Sequence, residues 1–305
     1  MLKGFVAIAM VALATGCGGS GGTSSPARPS LFGYDSSAPL RYRDRGRVNK
    51  DYPIEIRDVS YASPRGGRVP AFLVLPPGKG PFPAVIYLHG SREDRTRLLV
   101  PAAWLAAHGA VALAIDSRFL RVGDTGRGDP VQRLVQERDL TAKTIVDLRR
   151  GVDLLRSLPQ VDSKRIGFVG YSAGAKVGAM LAGIEHRITA YVLMSGGSPS
   201  VRAFAAPAPA SIRPQVRRVL TQIDPFRYVR RAAPAALFFQ DGLGDEYVPR
   251  AELAALARAG SEPKRIGWYR GGHSLNAQAY RDQIAWLSRE LGMRGPVVSG
   301  ARAGP

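Results

Sequence analysis

The chain has 305 residues, of which 43 are Lys or Arg and 24 are Asp or Glu, giving a formal net charge of +19. Apolar residues make up 45% of the sequence and charged residues 22%, which excludes a largely disordered chain and a small disulfide-stabilised scaffold. The length fits two ordinary domains or one large α/β domain. Because 36 of the 43 basic residues are Arg and the sequence carries no nucleic-acid-binding motif, we attribute the charge to an Arg-rich surface and predict no nucleic-acid partner.

The first 17 residues have the three parts of an export signal. Lys3 precedes an apolar run over residues 5–14, and small residues then lead to Cys17, the only cysteine in the chain. The apolar run is too short to span a bilayer. Residues 13–17 read Leu-Ala-Thr-Gly-Cys and resemble a bacterial lipobox, which implies cleavage before Cys17 and attachment of lipid to its sulfur. An ordinary secretory signal with an incidental cysteine is the alternative. We expect an exported lipoprotein anchored to a membrane of the cell envelope.

The expected organisation has four parts. Residues 1–16 are the signal peptide, and residues 17–35 are the lipidated cysteine and a flexible tether rich in Gly and Ser. Residues 36–294 form the globular domain, and residues 295–305 form a disordered tail. We predict that the basic segment over residues 29–50 is irregular, since charge runs of this kind usually mark a solvated face.

The rest of the domain alternates between strands and helices. Residues 54–61 and 69–75 predict an antiparallel hairpin, because a Pro-Arg-Gly-Gly turn joins two segments with the pattern of strands. Amphipathic helices are predicted between the later strands, with the last helix around residues 277–291. Short apolar strands are predicted at 83–88, 110–115, 166–169, 189–194, 235–239 and 265–269. This pattern predicts an α/β fold with a mostly parallel central sheet, an N-terminal antiparallel hairpin and helices on both faces.

Residues 198–234 interrupt this alternation and predict a short insertion that covers the site as a lid. The segment contains one predicted helix around residues 212–221. Between residues 202 and 231 it has seven Arg and one Asp. Such a surface fits acidic substrates or anionic lipid headgroups, and a merely solvated face is the alternative.

A Gly-x-Ser-x-Gly motif at residues 170–174 supplies the candidate nucleophile, Ser172. A second match in the tether, centred on Ser20, has no strand before it and no helix after it. Ser172 follows the strand at 166–169 and opens a helix of small residues, as a nucleophile elbow requires. Gly170 and Gly174 are expected to relieve crowding at the sharp turn.

His273 is the candidate general base among the four histidines. His108 ends a predicted helix, and His186 follows Ser172 too closely to allow the order Ser, acid, His. His273 lies in a Gly-Gly-His-Ser loop directly after the strand at 265–269, where a catalytic side chain is commonly placed. The acid that would orient its imidazole is one of three residues, which the spacing alone does not separate: Asp241, Asp245 and Glu246.

Residues 54–293 resemble the dienelactone-hydrolase-like esterase group of the α/β-hydrolase superfamily. The segment 242–249 matches that group's Gly-x-x-Asp-x-x-Val-Pro loop, which implies Asp245 as the acid and leaves Asp241 in reserve. His89-Gly90 matches the group's His-Gly after an early strand. The resemblance implies an oxyanion hole made by the backbone N–H groups of Ser91 and Ala173, with Gly90 as the alternative first donor. Dienelactone hydrolase itself has a cysteine nucleophile, so its substrate is not transferred to this chain.

These features predict a serine hydrolase that cleaves a small-molecule carboxylic ester through an acyl-enzyme. No cofactor and no metal are predicted, because no Cys/His or carboxylate cluster has metal-ligand spacing. A peptidase or acyltransferase on the same fold and a non-catalytic envelope binding protein are the alternatives.

Overall fold

A computed structural model describes residues 30–48, 54–119 and 128–295. The predictions for the signal peptide and Cys17, and those for most of the tether and tail, lie outside the described residues. Nine strands in the described part form one sheet. The strands are β1 (Arg43–Arg47), β2 (Glu55–Ala62), β3 (Arg68–Leu75), β4 (Phe82–Leu88), β5 (Val111–Ile115), β6 (Val161–Tyr171), β7 (Ala190–Met194), β8 (Ala236–Gly242) and β9 (Lys264–Tyr269).

The sheet is antiparallel at its N-terminal edge and parallel elsewhere. Its strand order is β1-β2-β3-β5-β4-β6-β7-β8-β9. Three pairs of neighbouring strands are antiparallel: β1–β2, β2–β3 and β3–β5. The remaining five pairs, from β5 across the sheet to β9, are parallel. The predicted hairpin is the β2–β3 pair, in which Glu55 lies opposite Leu75 and Ala62 opposite Arg68. The carboxyl ends of the parallel strands meet at one edge, where α/β folds of this kind bind their ligands.

Helices cover both faces of the sheet, as the sequence predicts. Apolar side chains of α2 and α3 form one buried cluster with the sheet, and those of α1 and α8 form another on the opposite face. No helix in the described part of the chain is both long and apolar enough to cross a membrane. The helices are α1 (Leu99–Ala107), α2 (Pro130–Ser157), α3 (Ala173–Ala182), α4 (Val201–Ala205), α5 (Arg213–Gln222), α6 (Pro225–Val229), α7 (Arg250–Ala259) and α8 (Ala277–Leu291).

This architecture confirms the predicted fold class and identifies it as an α/β-hydrolase fold. Strand β1 departs from the prediction, because it lies in the segment over residues 29–50 that the sequence predicts to be irregular. Four of its five residues are exposed, so it carries no hydrophobic alternation that a sequence pattern could reveal. It pairs with β2 through the backbone at the edge of the sheet, where charged side chains are common.

The insertion over residues 198–234 folds into three short helices, α4, α5 and α6. The predicted helix around residues 212–221 is α5, which packs on α2. Helix α6 packs on α3 and on α7, and α4 packs on α5. The insertion therefore lies along the helices that flank the sheet.

Candidate active site

Ser172 stands at the turn between β6 and α3, at the carboxyl edge of the sheet. Its backbone φ is +54°, a conformation that costs a non-glycine residue free energy and is typical of a nucleophile elbow. A Cβ on Gly170 would overlap the Gly174 carbonyl oxygen, and a Cβ on Gly174 would overlap the Leu88 carbonyl oxygen. The turn therefore requires glycine at both positions for lack of space, as the sequence motif predicts.

Backbone strain is concentrated around this serine. Five described non-glycine residues have positive φ, and four of them belong to this region: Arg92, Ser172, Ser195 and Leu275. Arg92 follows the predicted oxyanion donor Ser91, and Leu275 lies two residues after His273. Strained residues of this kind persist only where the surrounding structure holds them in place, and they cluster at functional sites.

A continuous hydrogen-bond chain joins Ser172, His273 and Asp245. The His273 Nε2 atom lies 2.9 Å from the Ser172 Oγ atom. The His273 Nδ1 atom lies 2.8 Å and 3.0 Å from the two Asp245 carboxylate oxygens. The side chains of His273 and Asp245 are 10% and 2% exposed. This arrangement can move a proton from the hydroxyl to the imidazole, while the carboxylate orients the ring.

The three candidate acids have three different environments. Asp245 contacts the imidazole and also accepts hydrogen bonds from the Tyr247 and Val248 backbone N–H groups, both at 2.9 Å. Glu246 instead accepts the backbone N–H of His273 at 3.0 Å. Asp241 is buried, and its Oδ2 atom has no hydrogen-bond partner. Burial, together with the nearby Asp245 carboxylate, raises the pKa of Asp241 to about 7.

Two hydrogen bonds hold the backbone of His273 in its loop, one at its N–H group and one at its carbonyl oxygen. Glu246 accepts its N–H, and the Ser195 Oγ atom donates to its carbonyl oxygen at 2.7 Å. Ser195 is fully buried just after β7. No sequence motif marks this serine, because a lone Ser after a strand is common, and only the parallel pairing of β7, β8 and β9 brings it to the loop.

The loop after β4 brings the predicted oxyanion donors to the nucleophile. The Gly90 N–H donates to the Glu93 Oε2 atom at 2.8 Å, so this group already has a partner and Ser91 is favoured over Gly90 as the first donor. Ala173 is the first residue of α3, where a backbone N–H has no partner within the helix. Ser91 and Ala173 both line the same cavity as Ser172.

That cavity has a volume of about 770 Å³, enough for a small organic substrate. Phe119, Val177 and Met180 form apolar parts of its wall. Glu137 and Lys176 line it as well, and their Oε1 and Nζ atoms lie 3.6 Å apart. None of the described lining residues comes from the insertion over residues 198–234, so the cavity wall does not support the predicted lid. Helix α2 supplies Glu137 and two threonines to that part of the wall.

In the part of the chain that the structure describes, no group of three or more His, Cys, Asp or Glu side chains is arranged to hold a metal ion.

His89 is buried, and its Nε2 atom accepts the Ser117 backbone N–H at 3.0 Å. Its Nδ1 atom lies 2.7 Å from the Gly90 carbonyl oxygen, so His89 links the loop after β4, here called the oxyanion loop, to the backbone that follows β5.

Comparison with known proteins identifies esterases as similar in sequence pattern and fold. The acetyl xylan esterase family model matches residues 46–195, about half of the chain. An acetyl xylan esterase from Paenibacillus sp. R4 superimposes with a TM-score of 0.70 at 22% identity, covering 83% of this chain and 90% of that one. Acetyl xylan esterase 1 from Thermoanaerobacterium sp. JW/SL YS485 gives a TM-score of 0.67 at 21% identity, covering 86% and 91%. At these identities the structures show the fold alone.

Two curated relatives share sequence with part of the chain. Acyl-coenzyme A thioesterase 3 from Mus musculus is 31% identical over 137 residues, which are 45% of this chain and 28% of that protein. Acyl-coenzyme A amino acid N-acyltransferase 2 from Rattus norvegicus is 31% identical over 134 residues, covering 44% and 28%. The chain thus spans less than a third of the length of these relatives. Together the comparisons support the α/β-hydrolase superfamily and a hydrolase of the carboxylesterase type.

Proposed function

We propose that this protein is a serine hydrolase that cleaves carboxylic esters through an acyl-enzyme, with Ser172 as nucleophile. The observation that carries the proposal is the hydrogen-bond chain from the Ser172 hydroxyl through His273 to Asp245. A serine at its ordinary pKa is a weak nucleophile and needs such a base within hydrogen-bond reach. The finer assignment to the dienelactone-hydrolase-like group stays a prediction.

In the acylation step, the Ser172 Oγ atom attacks the ester carbonyl carbon while the His273 Nε2 atom takes the hydroxyl proton. The carbonyl oxygen becomes an oxyanion, for which the Ser91 and Ala173 N–H groups are the proposed donors. The tetrahedral intermediate then expels the alcohol, which takes the proton from His273. Asp245 keeps the Nδ1–H tautomer and stabilises the imidazolium without itself taking the proton.

Water completes the reaction at the acyl-enzyme. The His273 Nε2 atom accepts a proton from the water as its oxygen attacks the acyl carbon, and the Ser172 Oγ atom leaves with that proton. The products are a carboxylic acid, an alcohol and the free enzyme, so no oxidant, reductant or cofactor enters the balance. The first proton leaves Ser172 and the last returns to it through the 2.9 Å contact with His273, whereas the other two transfers join His273 to the leaving alcohol and to the water.

Acetyl esters are the substrates to try first, because the matched family model describes acetyl xylan esterases. The cavity of about 770 Å³ has room for longer acyl groups or for a large alcohol. Hydrolysis of a nitrophenyl ester series from acetate to decanoate measures how kcat/KM depends on acyl length. A maximum at acetate supports short acyl esters, and a maximum at octanoate or beyond assigns the cavity to long acyl chains.

An acyltransferase is the second candidate, favoured by the sequence similarity to an N-acyltransferase. The same acyl-enzyme would then be attacked by an amine in place of water. Adding glycine or another amine acceptor to an ester assay separates the two functions. A transferase yields the N-acyl product in a share that rises with amine concentration, whereas a hydrolase yields the free acid throughout.

We further propose that the protein is exported and held in the cell envelope by lipid on Cys17. This proposal rests on the lipobox-like sequence over residues 13–17. Wild-type protein expressed in a bacterial host should sediment with membranes and partition into detergent, and Cys17→Ser should be released. Equal partitioning of the two proteins would contradict the proposal.

The proposed nucleophile is tested with a fluorophosphonate probe, which reacts only with an activated serine. Wild type should be labelled, and Ser172→Ala should not. Ser20→Ala is the matched control, because Ser20 lies in the other Gly-x-Ser-x-Gly match and its removal should leave labelling unchanged. No labelling of wild type, or labelling that persists in Ser172→Ala, overturns the proposed function.

A further inference from the structure

We propose that Glu93 and Arg97 act as one positioning unit that fixes the oxyanion loop against the loop of the general base. This inference rests on the proposed function and extends it to two residues that contribute no atom to the reaction. Neither belongs to the Gly-x-Ser-x-Gly motif, and neither follows from the resemblance stated above. Their contacts run from the backbone beside the first oxyanion donor to the residue after His273.

The first half of the unit is the contact of Glu93 with the oxyanion loop. The Glu93 Oε2 atom accepts the Gly90 N–H at 2.8 Å. Gly90 itself packs closely on the elbow, because a Cβ at this position would lie 3.2 Å from the Ser172 Cβ atom and 3.3 Å from the Tyr171 ring. Glu93 thus fixes the peptide that precedes Ser91, whose own N–H is the proposed donor.

The second half is Arg97, at the start of the segment that leads into α1. Its Nε atom lies 2.8 Å from the Glu93 Oε1 atom and forms an ion pair with it, without the geometry of a hydrogen bond, while the other Glu93 oxygen accepts the Gly90 N–H. The guanidinium also lies over the Tyr171 ring, 4.9 Å from the ring centre. One of its terminal nitrogens donates to the Ser274 Oγ atom at 3.3 Å. Arg97 therefore contacts the oxyanion loop, the elbow and the base loop at once.

Tyr171 completes the connection between the two loops. Its ring centre lies 5.2 Å from that of the His273 imidazole, so the ring under Arg97 also packs on the general base. The guanidinium and the carboxylate are 34% and 27% exposed. An isolated surface ion pair with this exposure contributes little stability. Its effect here is geometric, because a displacement of about 1 Å at a reacting group can cost about 100-fold in rate.

The experiment compares Glu93→Ala, Arg97→Met and the double variant in ester hydrolysis and in inhibition by a boronic acid. The boronate binds Ser172 as a tetrahedral adduct and places one oxygen in the oxyanion hole. We expect kcat to fall about 10- to 100-fold in each single variant, less than for complete loss of a donor, with KM nearly unchanged. The boronate Ki, expressed per active enzyme, should rise in proportion to the loss of kcat/KM. The double variant should resemble the worse single variant, because the two residues act as a unit.

The ion pair between Asp162 and Arg165 provides a matched control. Its atoms lie 2.7 Å apart, and its side chains are 28% and 31% exposed, close to the values for Glu93 and Arg97. Asp162→Ala and Arg165→Met should leave kcat and the boronate Ki unchanged. If the Ala and Met variants fail to fold, Glu93→Gln and Arg97→Lys take their place, since each keeps the size of the side chain.

Three outcomes decide the matter. Unchanged boronate Ki in active Glu93 and Arg97 variants overturns the positioning role, even where total activity is lower, because a smaller folded fraction lowers activity without altering Ki. Additive losses in the double variant reject the single unit. Failure of the proposed function gives a different result from failure of the inference, because the wild-type protein itself then hydrolyses no ester and binds no boronate.

Discussion

The buried carboxyl group of Asp241 makes the stability of this protein depend on pH in a direction opposite to that of most acidic residues. Asp241 is 2% exposed, and burial next to the Asp245 carboxylate raises its pKa from 3.8 to about 7. Between these two values the unfolded chain releases the proton, whereas the folded chain keeps it. Stability is therefore lost as pH rises from about 4 to about 7 and is constant above that range.

The size of this effect follows from the shift in pKa. Each pKa unit corresponds to 1.36 kcal/mol, so the raised pKa destabilises the folded protein by about 4 kcal/mol above neutral pH. Asp241→Asn replaces the acid with a neutral group of the same shape. We expect the variant to be more stable than wild type at pH 8, with an advantage about 2–3 kcal/mol larger at pH 8 than at pH 5.

Urea unfolding followed by tryptophan fluorescence at several pH values between 5 and 8 measures this difference. Asp139→Asn serves as the control, because the Asp139 side chain is 44% exposed and its substitution should shift stability equally at all pH values. The Asp241→Asn variant should keep ester hydrolysis, since Asp245 contacts His273. A difference between Asp241→Asn and wild type that stays constant from pH 5 to pH 8 would refute the reasoning.

Three further predictions follow from the site and its surroundings. Gly174→Ala should lower the free energy of unfolding by about 1–3 kcal/mol and slow fluorophosphonate labelling, because the added Cβ overlaps the Leu88 carbonyl oxygen. Urea unfolding and labelling kinetics measure the two effects, and a fully active variant of normal stability would contradict the crowding argument. His273→Gln should lower kcat by about 10⁴-fold or more in a nitrophenyl ester assay, and a smaller loss would point to a different base. Arg217→Glu with Arg218→Glu should leave KM unchanged for both neutral and anionic esters, because the insertion does not line the cavity; a rise in KM confined to anionic esters would place the insertion over the site.

The sequence predicts the inner parallel strands well, because β4, β5, β7 and β8 are almost wholly buried and appear as continuous apolar runs. Strand β4 is predicted at 83–88 and observed at Phe82–Leu88, and β7 is predicted at 189–194 and observed at Ala190–Met194. Strand β1 is exposed on four of its five residues and is stabilised by backbone pairing with β2, the next strand along the chain. No local pattern encodes that pairing, so the sequence alone could not reveal it.

Part of the candidate site can likewise be predicted from the sequence, and part cannot. Ser172 and His273 follow from a motif in its strand-turn-helix context and from elimination among four histidines, and the structure places them in contact. The spacing leaves the acid open because three carboxylates lie within six consecutive residues at the end of β8 and in the loop after it, and a hydrogen bond can be assigned only once the loop is folded. Ser195 and Arg97 form hydrogen bonds with the His273 loop across 78 and 177 residues of sequence. The spacing of residues within a motif cannot reveal contacts between such distant residues.

The parallel order of the sheet also makes the candidate site a reporter of folding. Ser172 lies at the end of β6, whereas His273 follows β9 at the far edge of the sheet. The base can approach the hydroxyl only once β7, β8 and β9 have all docked. Burst labelling with a fluorophosphonate during refolding would therefore time the arrival of the last strand, while tryptophan fluorescence follows burial of the core. A lag between the two signals would measure how late in folding the site is assembled.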